Sequence, residues 1–195
     1  MNIKRKQTAT RPRRRQSRLR RVAGFTLIEA ALATVIIGTG VLAILAAQQA
    51  YHRKNDWAAR TGTAVHLANE MRELMITLPA HDPIFPNNPG PEPGETSIAN
   101  YDDLDDFAGP ISGGAHTGLT FSPPVNAMRT TIADLTNWTQ QVQVVNVLPT
   151  NISSVFTQPL NSTNTMRVTV SVFYNNPNDA DDPMLVTQLT WITQD

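Results

Sequence analysis

Cysteine is absent from the 195-residue chain, and aromatic residues make up only 6% of it. Without cysteine there are no disulfides and no thiolate metal sites, so packing, alone or with a bound ion, must hold the folded part together. The chain also lacks a phosphate-binding glycine loop, a nucleophile elbow and the H-E-x-x-H spacing of metalloproteases. The four histidines show no comparable spacing; they are His52, His66, His81 and His116. We therefore expect no catalytic site, no metal and no cofactor, and predict that the protein is not an enzyme.

Acidic residues are missing from the first 28 positions, whereas ten of the 16 Lys and Arg residues lie within residues 1–21. After residue 24 the chain has six basic and 16 acidic residues, a formal charge of −10. A free basic arm for nucleic acid is one interpretation of the N-terminal segment. The acidity of the remainder provides no surface for phosphate groups, so we predict no direct nucleic-acid ligand.

The longest apolar run covers residues 25–47, which are 23 residues with Glu29 as the only formal charge. A helix of about 20 apolar residues crosses the hydrocarbon core of a bilayer. Because basic flanks stay in the cytoplasm, we expect residues 1–24 inside, one transmembrane helix, and the chain after about residue 50 outside. A secretory signal has a shorter apolar core followed by an A-x-A site, so we expect this span to be retained.

Glu29 is the anomaly of this run, since a carboxylate within an apolar span costs about 2.5–3.5 kcal/mol on insertion scales. One interpretation is that it snorkels to the headgroups or is protonated. The other is that it pairs with a cation at the same depth, although the run itself contains none. Cleavage after Gly24 would create one, the α-amino group of Phe25, which could reach Glu29 in the same chain or in a neighbouring copy.

Six residues at the junction of the basic segment and the apolar run, GFTLIE from Gly24 to Glu29, resemble a known motif. It is the cleavage and methylation motif of type IV prepilins and type II secretion pseudopilins. The resemblance implies that residues 1–24 are a leader, that a prepilin peptidase cuts between Gly24 and Phe25, and that the same enzyme N-methylates Phe25. It also implies that the amine of an incoming subunit pairs with Glu29 of a neighbour, the assembly salt bridge.

The same resemblance implies a function, partners and a location. The protein would be a structural subunit of a type IV pilus or a type II secretion pseudopilus, and a minor one, since it lacks the Cys pair of many pilins. Its partners would be the peptidase, other pilin or pseudopilin subunits, the inner-membrane assembly platform and the lipid bilayer. It would reside in the bacterial inner membrane with a cytoplasmic N-terminus and then in the fibre. The alternative is a non-polymerising single-span membrane protein whose exported domain binds an ion or a ligand.

No proline interrupts residues 25–78, so one long helix is allowed there, with a transmembrane inner half. Residues 48–78 continue it as an amphipathic helix. The apolar stripe at three- and four-residue spacing is Trp57, Ala64, Leu67, Met71, Leu74, Met75 and Leu78. Pro79 ends the pattern. Gly38 and Gly40 fit either close packing of neighbouring helices or a soft segment that stretches in a fibre, and the resemblance favours the second.

Six prolines between positions 79 and 93 indicate irregular structure, and we assign residues 79–136 to a Pro/Asp-rich loop region. Residues 137–195 are predicted to form the antiparallel β-sheet of the exported domain. Apolar and polar side chains alternate in three runs there, residues 138–148, 165–174 and 184–193. The fold class is therefore α+β, one long N-terminal helix packed on a small antiparallel sheet, and the resemblance implies a pilin-like arrangement.

Two details of this sheet are also predicted. One face of the last strand is expected to carry Leu185, Thr187, Leu189 and Trp191. Residues 175–179 are expected to form a turn longer than a tight hairpin.

An acidic stretch, YDDLDDFAG over residues 101–109, contains Asp102, Asp103, Asp105 and Asp106. Four carboxylates this close repel one another unless water or a cation screens them, and oxygen ligands suit Ca²⁺. The spacing is not that of an EF-hand loop. We expect a solvated acidic turn pinned by its aromatic and leucine side chains, with a structural cation as the alternative.

Overall fold

A computed structural model describes residues 24–82, 84–85, 88–112, 115–177 and 179–194. The predicted leader lies outside these residues except for Gly24. The chain divides into two compact units, residues 1–49 and 50–195, which are described separately.

The first unit contains the start of helix α1, which runs from Leu27 to Met75. From Leu27 to residue 49 every side chain except that of Ala33 is exposed. Threonine hydroxyls in this apolar stretch bond to their own helix, as Thr34 Oγ1 does to the carbonyl of Ala30 at 2.8 Å, so few polar groups are left unsatisfied. The helix is long and apolar enough to cross a membrane, as a retained span or as a signal helix.

In the second unit, the rest of α1 buries one face. Its buried residues are Ala64, Leu67, Ala68, Met71, Leu74 and Met75. Burying each large apolar side chain contributes about 1.5–3 kcal/mol. The predicted stripe is thus confirmed at its centre, but Trp57 is 47% exposed and lies off the buried face. The helix ends at Met75, three residues before the predicted end, and Leu78 packs on the core from the turn that follows.

A four-stranded antiparallel sheet follows in the order β3-β4-β5-β6. Its strands are β3 (Leu119–Phe121), β4 (Trp138–Asn146), β5 (Thr165–Asn176) and β6 (Asp179–Gln194). A separate pair joins β1 (Ile111–Ser112) to β2 (Ala115–His116), and a 3-10 helix spans Asp105–Ala108. The three predicted strands are confirmed. The assignment of all of 79–136 to loop is wrong, because β3 pairs with β4 and extends the sheet.

The predicted face of β6 is confirmed at Leu189 and Trp191, which pack against the core, but the prediction is wrong at Leu185 and for the preceding turn. Asn176 pairs with Asp179, so the strands are separated by two residues, fewer than predicted, and Asn178 lies outside the described residues. A register shift between Tyr174, which pairs with Met184, and Asn176 makes this end of the strand pair irregular. The register shifts between Val172 and Phe173, whose partners are Thr187 and Leu185. This irregularity breaks the two-residue alternation. As a result Leu185 is 48% exposed, whereas its neighbour Val186 packs against the core.

The core of the second unit lies between the buried helix face and the inner face of β4 and β5. The strands contribute Val142, Val144, Met166, Val168, Val170 and Val172, all fully buried. Gln140 is buried among them and bonds three ways. Its Nε2 donates to the carbonyls of Leu67 (2.8 Å) and Val125 (3.1 Å), and its Oε1 accepts from the Val125 amide at 2.8 Å. This side chain ties helix, sheet and loop together in an α+β layout.

Candidate functional site

The predicted processing site lies just before helix α1. Gly24 and Phe25 are exposed and precede the first helical residue, Leu27, and the Phe25 side chain is 82% exposed. Among the described residues, no atom outside its chain neighbours lies within 4 Å of the position of a Cβ at Gly24. The peptide bond between Gly24 and Phe25 is therefore sterically accessible in the first unit.

Glu29 belongs to a reciprocal capping arrangement at the helix start. Its backbone amide donates to Thr26 Oγ1 (3.3 Å), while its Oε2 accepts from the Thr26 amide (2.9 Å) and from the Thr26 hydroxyl (2.8 Å). This is the capping box of a T-x-x-E sequence, with Thr26 as N-cap and Glu29 at the third helical position. The sequence signal is present in GFTLIE, but Glu29 was interpreted as a snorkelling or protonated side chain or as the partner of an amine, and not as part of a helix cap.

The capping box uses one carboxylate oxygen of Glu29, Oε2, and leaves the other, Oε1, available to another group. Oε1 receives no hydrogen bond from the residues that the structure describes. A negative charge in the first turn also interacts favourably with the helix dipole. Glu29 can therefore cap its own helix and still accept a hydrogen bond or an ion pair from another group.

The acidic stretch is buried, which overturns the expected solvated turn. Asp103, Asp105 and Asp106 are at most 1% exposed, and only Asp102 faces solvent. The expected pinning by apolar side chains is observed. Leu104 and Phe107 are buried, and the ring of Tyr101 packs edge-on against that of Phe107 with centroids 5.2 Å apart.

Asp105 is satisfied on both oxygens. Its Oδ1 accepts from the Gly90 amide at 2.8 Å, and its Oδ2 lies 2.9 Å from Nδ1 of His81. Leu104, next to it, donates its amide to the carbonyl of Pro79 at 2.9 Å. These bonds fasten the acidic stretch to the segments before it, and they assign Asp105 a structural role.

Asp103 and Asp106 each use one oxygen and leave one buried without a partner. Asp103 Oδ1 accepts from the amides of Asp105 (2.9 Å) and Asp106 (3.2 Å), and Asp106 Oδ2 accepts from that of Asp102 (3.0 Å). Asp103 Oδ2 and Asp106 Oδ1 have no hydrogen-bond partner among the described residues. A buried, unsatisfied polar atom costs about 1–3 kcal/mol, more when charged, so these two oxygens need an explanation.

Two glutamates that the sequence analysis did not single out complete the acidic cluster, which we define as Glu92, Glu95, Asp102, Asp103 and Asp106. Glu92 is buried, its amide donates to Glu95 Oε2 at 2.8 Å, and its own Oε2 lacks a partner in the described chain. Glu92 and Glu95 lie in the proline-rich loop, about ten residues before the aspartates in the sequence. Their contact with the aspartates could not be predicted from the sequence. Local spacing carries no signal for such a contact.

Burial keeps protons on this cluster. Desolvation, with the nearby Asp105 and Asp106 carboxylates, raises the pKa of Asp103 to about 8. Desolvation, with further repulsion from Glu95 and Asp105, raises the pKa of Asp106 to about 7 despite hydrogen bonds from the backbone of Asp103 and Asp102. The pKa of Glu92 is raised by burial first and then by its contact with Glu95.

The histidines do not assemble a catalytic or metal-binding group with one another. His66 Nε2 lies 3.5 Å from Glu70 Oε1, His116 Nδ1 bonds to the carbonyl of Gly109 at 2.8 Å, and His81 contacts Asp105. Each of these contacts is local to the packing of the second unit. We find no nucleophile–base pair in the part of the chain that the structure describes.

Comparison of the chain with known proteins gave no match to a family model, a curated protein or a solved structure. Its function must therefore be inferred from the residues of the two sites.

Proposed function

We propose that this protein is a prepilin-type structural subunit, anchored by its N-terminal helix and incorporated, as a minor component, into a type IV pilus or a type II secretion pseudopilus. The observation that carries the proposal is the GFTLIE motif at the junction of a basic segment and an apolar helix. The accessible bond between Gly24 and Phe25 and the unused Oε1 of Glu29 support it.

Processing would supply the positive charge that the apolar run lacks. A prepilin peptidase hydrolyses the bond after Gly24, which leaves a protonated amine on Phe25, and methylation keeps that amine cationic. Within its own chain, Glu29 is engaged by Thr26 through Oε2. Its Oε1 then accepts the Phe25 amine of an adjacent subunit, and the pair is strong because the surroundings are apolar. The assembly salt bridge joins two copies in this scheme.

The exposed apolar part of α1 would have two successive environments. In the inner membrane its side chains face lipid, and in a fibre they face the helices of other subunits. Small residues permit close approach of helices, and Ala30, Ala31, Ala33, Gly38 and Gly40 provide them. The second unit would lie outside the cytoplasm, and the acidic balance of the chain after the leader disfavours a nucleic-acid ligand.

The experiment is mass spectrometry of the N-terminus in membranes and in sheared filaments, with and without the peptidase. The proposal expects chains that begin at N-methylated Phe25, and full-length precursor when Gly24 is replaced by Val. Ala23→Val is the matched control, since it changes the next residue of the leader and should be processed. Recovery of chains that begin at Met1 from working filaments would overturn the proposal.

A second candidate function is a single-span protein with an exported ion-binding domain that never polymerises. It is favoured by the buried, unpartnered carboxylate oxygens of Asp103 and Asp106. Fractionation distinguishes the two: a subunit co-purifies with sheared filaments or with other proteins that carry the same N-terminal motif, and a non-polymerising protein stays entirely in the membrane.

A further inference from the structure

We infer that the acidic cluster of the second unit is a binding site for a divalent, oxygen-preferring cation, specifically Ca²⁺. The inference goes beyond the proposed function and does not depend on it, since no residue of the cluster belongs to the N-terminal motif. The sequence analysis expected no metal but left a structural cation as the alternative for the acidic stretch, and the inference takes up that alternative.

The first argument is proximity. One carboxylate oxygen from each of Glu92, Glu95 and Asp106 lies within 4.8 Å of the other two, and the same holds for Asp102, Asp103 and Asp106. Oxygens bound to one Ca²⁺ at 2.3–2.6 Å are separated by up to about 5 Å. Asp106 belongs to both groups, so it is the residue on which a bound ion would depend most.

The second argument is independent of the first and concerns unsatisfied atoms. Glu92 Oε2, Asp103 Oδ2 and Asp106 Oδ1 are buried and have no hydrogen-bond partner among the described residues. In each of these side chains the other oxygen is held by the protein, through Asn88 for Glu92 and through backbone amides for the two aspartates. The side chains are therefore fixed in place with one acceptor oxygen each to spare.

The third argument concerns charge. Five carboxylates lie together, and in the described part of the chain no Lys or Arg forms an ion pair with them, although the charge of Arg129 acts on the exposed Asp102. Burying several like charges without a counter-charge is strongly unfavourable. His81 does not relieve this, because its ring nitrogen is taken up by Asp105, outside the cluster. A divalent cation would displace the protons that burial otherwise keeps on Asp103 and Asp106, and it would balance the carboxylates that then ionise.

The ligand chemistry selects the ion. The cluster offers only carboxylate oxygens, with no histidine or cysteine, which favours a hard cation over Zn²⁺ or Cu²⁺. The donors come from the loop residues Glu92 and Glu95, from the turn that carries Asp102 and Asp103, and from Asp106 in the 3-10 helix that follows. Ca²⁺ accepts six to eight oxygens in flexible geometry, whereas Mg²⁺ requires a near-ideal octahedron and keeps several waters. Bound Ca²⁺ would fasten the loop to the turn and the 3-10 helix.

The test uses the full-length chain in detergent micelles, stripped with a chelator and then titrated with CaCl₂ or MgCl₂ alone. Tryptophan fluorescence reports the second unit, since Trp57, Trp138 and Trp191 all lie in it. We expect saturable Ca²⁺ binding with a Kd of about 10⁻⁴–10⁻³ M or tighter. At about ten times Kd, the Tm should rise by about 3–6 °C. Mg²⁺ should act only at much higher concentration.

Asp106→Asn and Asp103→Asn keep the side-chain shape and remove one charge each. We expect D106N to weaken Ca²⁺ binding by about tenfold or more, since affinity follows the ligand charge count. Asp134→Asn is the matched control, because Asp134 is an exposed aspartate of the same unit outside the cluster. If D106N does not fold, Glu92→Gln at the edge of the cluster takes its place.

Three results would overturn the inference: no saturable response to Ca²⁺ in a chain that melts cooperatively, an equal response to Mg²⁺, or unchanged Ca²⁺ affinity in the folded D106N and E92Q variants. None of these results bears on whether the chain is processed or assembled. Conversely, an unprocessed N-terminus in filaments would overturn the proposed function but would not change the conclusion drawn from the Ca²⁺ measurements.

Discussion

Glu29 in the first unit and Asp106 in the second are carboxylates in opposite surroundings, since Glu29 is exposed at the start of an apolar helix and Asp106 is buried. Both hold one oxygen in a local hydrogen bond, Glu29 to Thr26 and Asp106 to the amide of Asp102. The remaining oxygen of Glu29 is exposed on an apolar helix, whereas that of Asp106 is buried. An exposed acceptor can receive a group from another molecule, and a buried one can receive only something as small as an ion.

The largest expected effect is on assembly. Two substitutions of Glu29 test whether assembly depends on its negative charge or on its role in the helix cap. Glu29→Gln keeps the capping box, which accepts Glu or Gln, but removes the negative charge. Glu29→Ala removes both. If the charge receives the Phe25 amine, both variants are cleaved normally and both fail to enter filaments, as measured by immunoblots of membrane and sheared fractions. Normal incorporation of E29Q would show that Glu29 acts only as a cap.

The next effect is on the stability of the second unit. Phe107 is fully buried and packs against Tyr101 beside the acidic cluster. Phe107→Ala should lower the free energy of unfolding by about 3–5 kcal/mol, because it leaves a cavity. Denaturant titration followed by tryptophan fluorescence measures this. Phe156→Ala, at an exposed phenylalanine, is the control and should change stability little.

A smaller effect is the pH dependence of the metal-free chain. The folded chain keeps protons on Asp103 and Asp106 up to pKa values of about 8 and about 7, whereas the ordinary value is 3.8. The folded state therefore binds more protons than the unfolded state between these values, so stability is highest near pH 4 and decreases as the pH rises towards 8. Repulsion from Asp105 adds to both shifts, and repulsion from Glu95 adds to that of Asp106; Glu92 lies close to Asp106, and Arg129 acts on the neighbouring Asp102.

Thermal melts in chelator across this pH range measure the effect. D106N should flatten the curve, and Ca²⁺ should restore stability at the alkaline end, where the carboxylates are ionised. A melting temperature that rises with pH in the metal-free chain would contradict the buried, protonated cluster.

The smallest effect is expected from Thr26→Val, which removes the capping hydroxyl and leaves the charge of Glu29. Loss of an N-cap costs about 1 kcal/mol of helix stability. Helix content by circular dichroism in micelles should decrease slightly, and cleavage and incorporation should persist. If T26V blocks assembly as fully as E29A, the positioning of Glu29 by Thr26 matters as much as its charge.

Periodic patterns made most of the fold predictable. The helix stripe around Leu67 and Met71 and the alternation in β5 follow from side-chain spacing alone. The short β3 escaped prediction because three residues carry too little pattern. Leu185 was assigned to the wrong face because a register shift is set by pairing with β5 and leaves no mark in the spacing.

The candidate sites were predictable only where the chemistry is local. The motif around Gly24 and Glu29 could be identified from contiguous letters, and its capping box could have been. The acidic cluster could not, because Glu92 and Asp106 meet only after a proline-rich loop has folded back. The burial of Asp103, Asp105 and Asp106 follows from the same tertiary contacts, so these three aspartates were wrongly assigned to solvent, whereas Asp102 is exposed as expected.

The capping box of α1 lies entirely within residues 26–29, downstream of the bond after Gly24. None of its donors or acceptors belongs to Gly24 or to a residue before it. If the proposed hydrolysis after Gly24 takes place, it therefore removes no hydrogen bond of the cap, and the start of the helix keeps the same end in the precursor and in the product.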